Sequence, residues 1–167
     1  MDFDVSLLLH EVEQNIHESI RPFLAKEVIE EIKAAGRCFA LENYTASGFH
    51  TLRGLEVVMG DYYKHASGKD REFRSWYDYI EAFKELEAEK NGIKSKYLSP
   101  KVSAMLDRMR QLDRNPLMHP RDSLDEMSAD TLFKLGIVTI TELAKDMRDM
   151  TGQPELKLIA NTEATAS

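Results

Sequence analysis

The sequence predicts an all-α fold, an up-and-down bundle of about five to six helices. Apolar residues recur at helical spacing along most of the chain, and the five prolines and eight glycines fall where that periodicity breaks. A length of 167 residues with 43% hydrophobic content suits one domain with a sizeable core.

Cutting the chain at these punctuators yields six helical segments. Residues 3–20 read as a first helix closed by Arg21-Pro22, because the residue before a proline is pushed out of the α region. The second, 23–41, places Val28, Ile32, Ala35 and Phe39 on one face and Glu27, Glu30, Glu31 and Lys33 on the solvated side. The third, 44–65, gathers Leu52, Leu55, Val58, Met59 and Tyr62 before a flexible Ser67-Gly68-Lys69-Asp70. The fourth, 70–90, carries Phe73, Trp76, Tyr77, Ile80, Phe83 and Leu86 and stops at Asn91-Gly92. In the fifth, Ser99 is an N-cap and Pro100 the first helical residue, leading into 101–112.

Ser123 to Glu126 has the form of a capping box ahead of a last helix over 128–150. That helix is apolar over a wide arc (Leu132, Phe133, Leu135, Ile137, Val138, Ile140, Leu143, Met147, Met150), which makes it either central in the bundle or shared with a second subunit. Residues 1–151 thus read as a single helical domain and 152–167 as a polar, frayed tail.

Composition narrows the function classes. Cys38 is the one cysteine, so an intrachain disulfide is excluded, and it reads as a small buried hydrophobe. The first ten residues lack the basic region and cleavage site of a signal peptide, and apolar runs are short, so a cytoplasmic protein with no membrane span is expected. A net charge of −7 opposes a broad nucleic-acid footprint, leaving room only for a local RNA contact.

Familiar signatures are missing: the chain has no Walker loop, GxGxxG, GxSxG, HExxH or EF-hand loop. A carboxylate-bridged di-iron site needs Glu three residues before His, but Leu7, Gln14, Ser47, Tyr62 and Pro116 occupy those positions. His10 and His17 would lie two turns apart on one helix, near Glu13, with no third ligand evident. Neither a metal nor a cofactor is expected.

The remaining constellation is Asp113-Arg-Asn-Pro-Leu-Met-His119-Pro, between two helices. On a continuous helix Arg114 and His119 would diverge by roughly 140°, and the prolines supply the break that lets them face one space. A guanidinium can hold a phosphoryl oxygen bidentately, an imidazole can accept or donate a proton, and Asn115 adds a neutral hydrogen-bonding group. Together these suit attack of a ribose 2′-hydroxyl on the neighbouring phosphate. A second polar cluster, His50, Arg53 and Glu56, falls on the third helix away from its apolar face, where it either joins the site or forms a solvated Arg53–Glu56 pair. Arg114 could instead cap the fifth helix, with His119 hydrogen-bonded at the junction.

Arg114-Asn-Pro-Leu-Met-His119 resembles the Arg-x4-6-His motif of the HEPN (higher eukaryotes and prokaryotes nucleotide-binding) family, and the stretch from Ala35 to Glu56 resembles that family's paired-helix segment. The resemblance spans about residues 25–145. It implies a homodimeric bundle of HEPN type in which the Arg and His of two subunits meet at the interface. Catalytic members are metal-independent endoribonucleases, often of toxin, antiphage or RNA-processing systems; others are non-catalytic. Arg114, Asn115 and His119 are accordingly the catalytic candidates, and His50, Arg53 and Glu56 the substrate-binding ones. The alternative is a non-catalytic nucleotide-binding or protein-interaction module. A cognate antitoxin or other system partner is not identifiable. Toxin members paired with a nucleotidyltransferase often carry Tyr two residues after the motif His, whereas this chain has Arg121.

Overall fold

Six α-helices form among the residues described by the computed structural model, which are 5–89, 100–114, 117, 119 and 121–151. They are α1 (Val5–His10), α2 (Lys26–Ala40), α3 (Tyr44–Ser67), α4 (Trp76–Glu89), α5 (Pro100–Met109) and α6 (Glu126–Met150), with a π-helical turn, Arg110–Arg114, extending α5. No strand occurs among the described residues, as the all-α expectation requires, and no helix there is long and apolar enough to cross a membrane. The Asn91-Gly92 stop, the Ser99 cap, Asn115, Pro116, Pro120 and the tail from 152 lie outside the described residues.

The first segment departs from the expected single helix. α1 ends at His10, and two short 3₁₀ turns, Val12–Asn15 and Arg21–Phe23, follow. Local side chains take the carbonyls a helix would use: Asn15 Nδ2 donates to Val12 O at 2.8 Å, and Arg21 Nε donates to Ile16 O at 2.8 Å. Leu8, Val12, Ile16 and Ile20 are nevertheless all buried. Their apolar spacing therefore marks the core-facing side correctly without implying one helix. His10 and His17 end up on separate segments, both exposed.

α2 and α3 pack antiparallel in the most extensive helix interface, and α3 and α6 form the next. α3 is the central element. Leu52, Leu55, Val58, Met59 and Tyr62 are buried as its periodicity requires, and Tyr62 meets Phe83 of α4 edge-on at 5.2 Å. α3 ends at Gly68, whose φ of 69° is the left-handed conformation that glycine adopts without strain. α4 begins at Trp76, later than expected, where the Ser75 hydroxyl accepts from Asp78 N at 3.2 Å and so caps the helix.

α6 packs into the core through Leu132, Phe133, Ile140, Leu143 and Met147, which are buried, while Leu135, Ile137 and Met150 are half-buried and Val138 is exposed, so burial within one chain covers only part of its wide apolar arc. Gly48 faces Leu132, Gly136 faces Thr51 and Gly54 faces Ile140, so α3 and α6 run parallel. The up-and-down alternation therefore holds for α2 and α3 but not for this pair. The junction before α6 returns the chain to the N-terminal end of α3, where Leu124 N donates to Thr45 Oγ1 at 3.0 Å. The cap of α6 is Asp125, whose side chain accepts from Ser128 N at 2.8 Å, rather than the expected Ser123 box. Cys38 is half-buried, not sequestered in the core.

Candidate functional site

The site is built on the side of α3 that the core leaves open. At about 100° per residue, Ala46, Phe49, Arg53, Glu56, Val57 and Gly60 share one arc, and all are exposed or half-buried. α2 borders this strip on the side of His50. The junction leading from α5 to α6 borders the other side, where Leu117 and Leu124 pack over Gly48. A Cβ on Gly48 would stand 2.5 Å from Leu124 Cδ1 and 3.2 Å from Leu117 Cδ1, so the missing side chain is what lets the junction lie this close.

Arg114 ends the π-helical turn and reaches α3, where its NH2 lies 3.4 Å from Glu56 Oε1. This contact spans 58 residues and joins the two polar clusters picked out in the sequence. The Arg114 side chain is 24% exposed and that of Glu56 42%. Arg114 is thus engaged by a carboxylate of α3. His119 follows the buried Leu117 and is itself exposed; its carbonyl accepts from Asp122 N at 3.1 Å, closing a turn. Asn115, the third catalytic candidate, is outside the described residues.

On the opposite border, Glu31 of α2 binds two residues of α3 at once. Its Oε2 lies 2.7 Å from His50 Nδ1 and its Oε1 3.0 Å from Arg53 NH2. In place of the alternative Arg53–Glu56 pair stand two contacts to other segments, Arg53 to Glu31 and Glu56 to Arg114. The Glu31 side chain is only 16% exposed. Sequence reasoning places it on the solvated side of its helix and leaves it out of the site; the one available signal is its position at the edge of the apolar face, one residue before the buried Ile32.

The strip therefore alternates acid and base around α3: His50, Glu31, Arg53, Glu56, Arg114. Beyond its far end stands Tyr79, whose hydroxyl is 3.5 Å from the Cβ position of Gly60. Burial raises the pKa of that phenol above its ordinary value, and the negative charge of Glu56 adds to the rise. Among the described residues, no three His, Cys, Asp or Glu side chains come together as a donor set for a metal ion. No protein-family model, curated protein or solved structure matches the chain.

Proposed function

We propose that the α3 strip binds RNA and cleaves it without a metal ion, in the manner of an HEPN-type endoribonuclease. The observation that carries this reading is the approach of Arg114 to Glu56, which puts the arginine of the Arg-x4-His motif on the same face of α3 as His50 and Arg53. Arg114 would hold a non-bridging phosphoryl oxygen and stabilise charge as the 2′-oxygen attacks, and the exposed His119 would transfer a proton. Asn115 would position the phosphate. A homodimer belongs to this reading, because two copies would supply two Arg114 and two His119 groups to one cleft.

A second reading has an observation of its own. Both arginines of the strip already face carboxylates, as they would in a non-catalytic module that binds a nucleotide or a protein.

Incubation of the purified chain with mixed-sequence RNA in excess EDTA separates the two. Cleavage by wild type, lost in a folded His119→Ala variant, is the expected result. If neither protein cleaves and a nucleotide raises the Tm of wild type, the binding module is the better reading, since a ligand selective for the native state stabilises it by mass action.

A further inference from the structure

We propose that Glu31 and His50 form a carboxylate–imidazole dyad that supplies the proton-accepting group of the strip, with Glu31 as its positioning residue. The inference rests on the ribonuclease reading above and deepens it by dividing the proton transfers between two histidines.

An ionised carboxylate only accepts hydrogen bonds, so at 2.7 Å from Glu31 Oε2 it is His50 Nδ1 that carries the hydrogen. In the neutral ring Nε2 then has its lone pair free. The His50 side chain is 32% exposed, enough to reach a bound molecule, while the largely covered Glu31 holds the ring in place. The same carboxylate, through its other oxygen, holds Arg53 at 3.0 Å, and the Arg53 side chain is 66% exposed. One acid from α2 thereby orients a base and a cation that both belong to α3 and are both accessible from the strip.

Metal-independent cleavage by 2′-hydroxyl attack needs one group to take a proton and another to give one. In the step assigned here, His50 Nε2 takes the 2′-hydroxyl proton and the 2′-oxygen forms its bond to phosphorus. The bond from phosphorus to the 5′-oxygen breaks, and the leaving oxygen receives a proton from the imidazolium of His119. Arg53 and Arg114 flank the phosphate. The products are a 2′,3′-cyclic phosphate and a 5′-hydroxyl, and subsequent proton exchange with water resets both rings.

The ring tautomer tests the dyad independently of catalysis. Nitrogen-15 shifts of His50, read where the ring is neutral, are expected to show the Nδ1–H form in wild type. Glu31→Gln, which keeps an acceptor, should retain that form, and Glu31→Met, which has none, should shift the ring toward Nε2–H. An Nε2–H ring in wild type, or a tautomer indifferent to Glu31→Met, overturns the dyad. Cleavage of mixed-sequence RNA tests its role: His50→Gln should lose about 100-fold or more in kcat, and Glu31→Met should lower kcat with little change in KM. Full activity in His50→Gln beside an inactive His119→Ala would overturn the inference and leave the ribonuclease reading standing. A wild type that cleaves nothing while its tautomer follows Glu31 would remove that reading and the catalytic role of the dyad together.

Discussion

On the proposed ribonuclease reading, Arg114 has to exchange partners before it can grip a phosphate. Its guanidinium lies 3.4 Å from Glu56, and a phosphoryl oxygen arriving there would meet a like charge on the carboxylate as well as the cation. On that reading, Glu56 would compete for the phosphate position. Glu56→Gln should bind a short single-stranded RNA more tightly than wild type, as read by fluorescence anisotropy at fixed ionic strength. A half-exposed pair of this kind contributes at most about 1 kcal/mol to folding, so the melting temperature should hardly move. In an Arg114→Ala background the gain should disappear, because the two side chains act through one contact and their effects are not additive. An equal gain in both backgrounds would mean that Glu56 acts only through the general negative field of the chain.

At the scale of the helix, the start of α6 depends on a single side chain. Asp125 accepts from Ser128 N, and hydrogen bonding from Ser128, its side chain ahead of its backbone N–H, holds the Asp125 carboxyl below the usual aspartate pKa. A depressed folded-state pKa gives stability that is fully present above the unfolded value of about 3.8 and is lost as pH falls through the folded value. Asp125→Asn keeps a cap that does not titrate, so its melting temperature should fall less steeply than that of wild type below about pH 4; parallel acid profiles would remove the cap from the acid response. Cap chemistry also shows how much the chain reveals of itself. The helical periods of α2, α3 and α6 follow from their apolar spacing, because a face that must be buried repeats with the turn of the helix. The break after His10 is hidden, since Leu8, Val12, Ile16 and Ile20 keep a helix-like interval through turns closed by Asn15 and Arg21. Among the candidate site residues, His50, Arg53 and Glu56 are legible as polar groups off the apolar face of one helix, and Arg114 as part of the proline-broken junction. Glu31 is not, because its role depends on the neighbouring helix covering it, and periodicity in one helix carries no record of what packs beside it.

Across the whole molecule, electrostatics set a limit on how RNA could be held. With a net charge of −7, the chain gains little from the general attraction that drives nonspecific nucleic-acid binding, so affinity has to come from cations concentrated on the strip. Arg53 and Arg114 are the two arginines there, and both must draw phosphate against adjacent carboxylates. Each phosphate neutralised on a single strand contributes roughly −0.7 to the slope of log K against log salt. One protomer engaging both arginines should therefore show a slope of roughly −1.4, and a dimer that joins two strips on one RNA should show roughly −2.8. Measuring the salt dependence beside the sedimentation mass gives the slope and the assembly state in one set of samples. Arg114→Ala should flatten the slope by roughly 0.7 for each strip engaged, whereas a nucleotide held mainly by stacking and neutral hydrogen bonds would show almost no slope in either protein. A steep slope that survives Arg114→Ala would place the cationic contact away from α3 and take the local-site reading down with it.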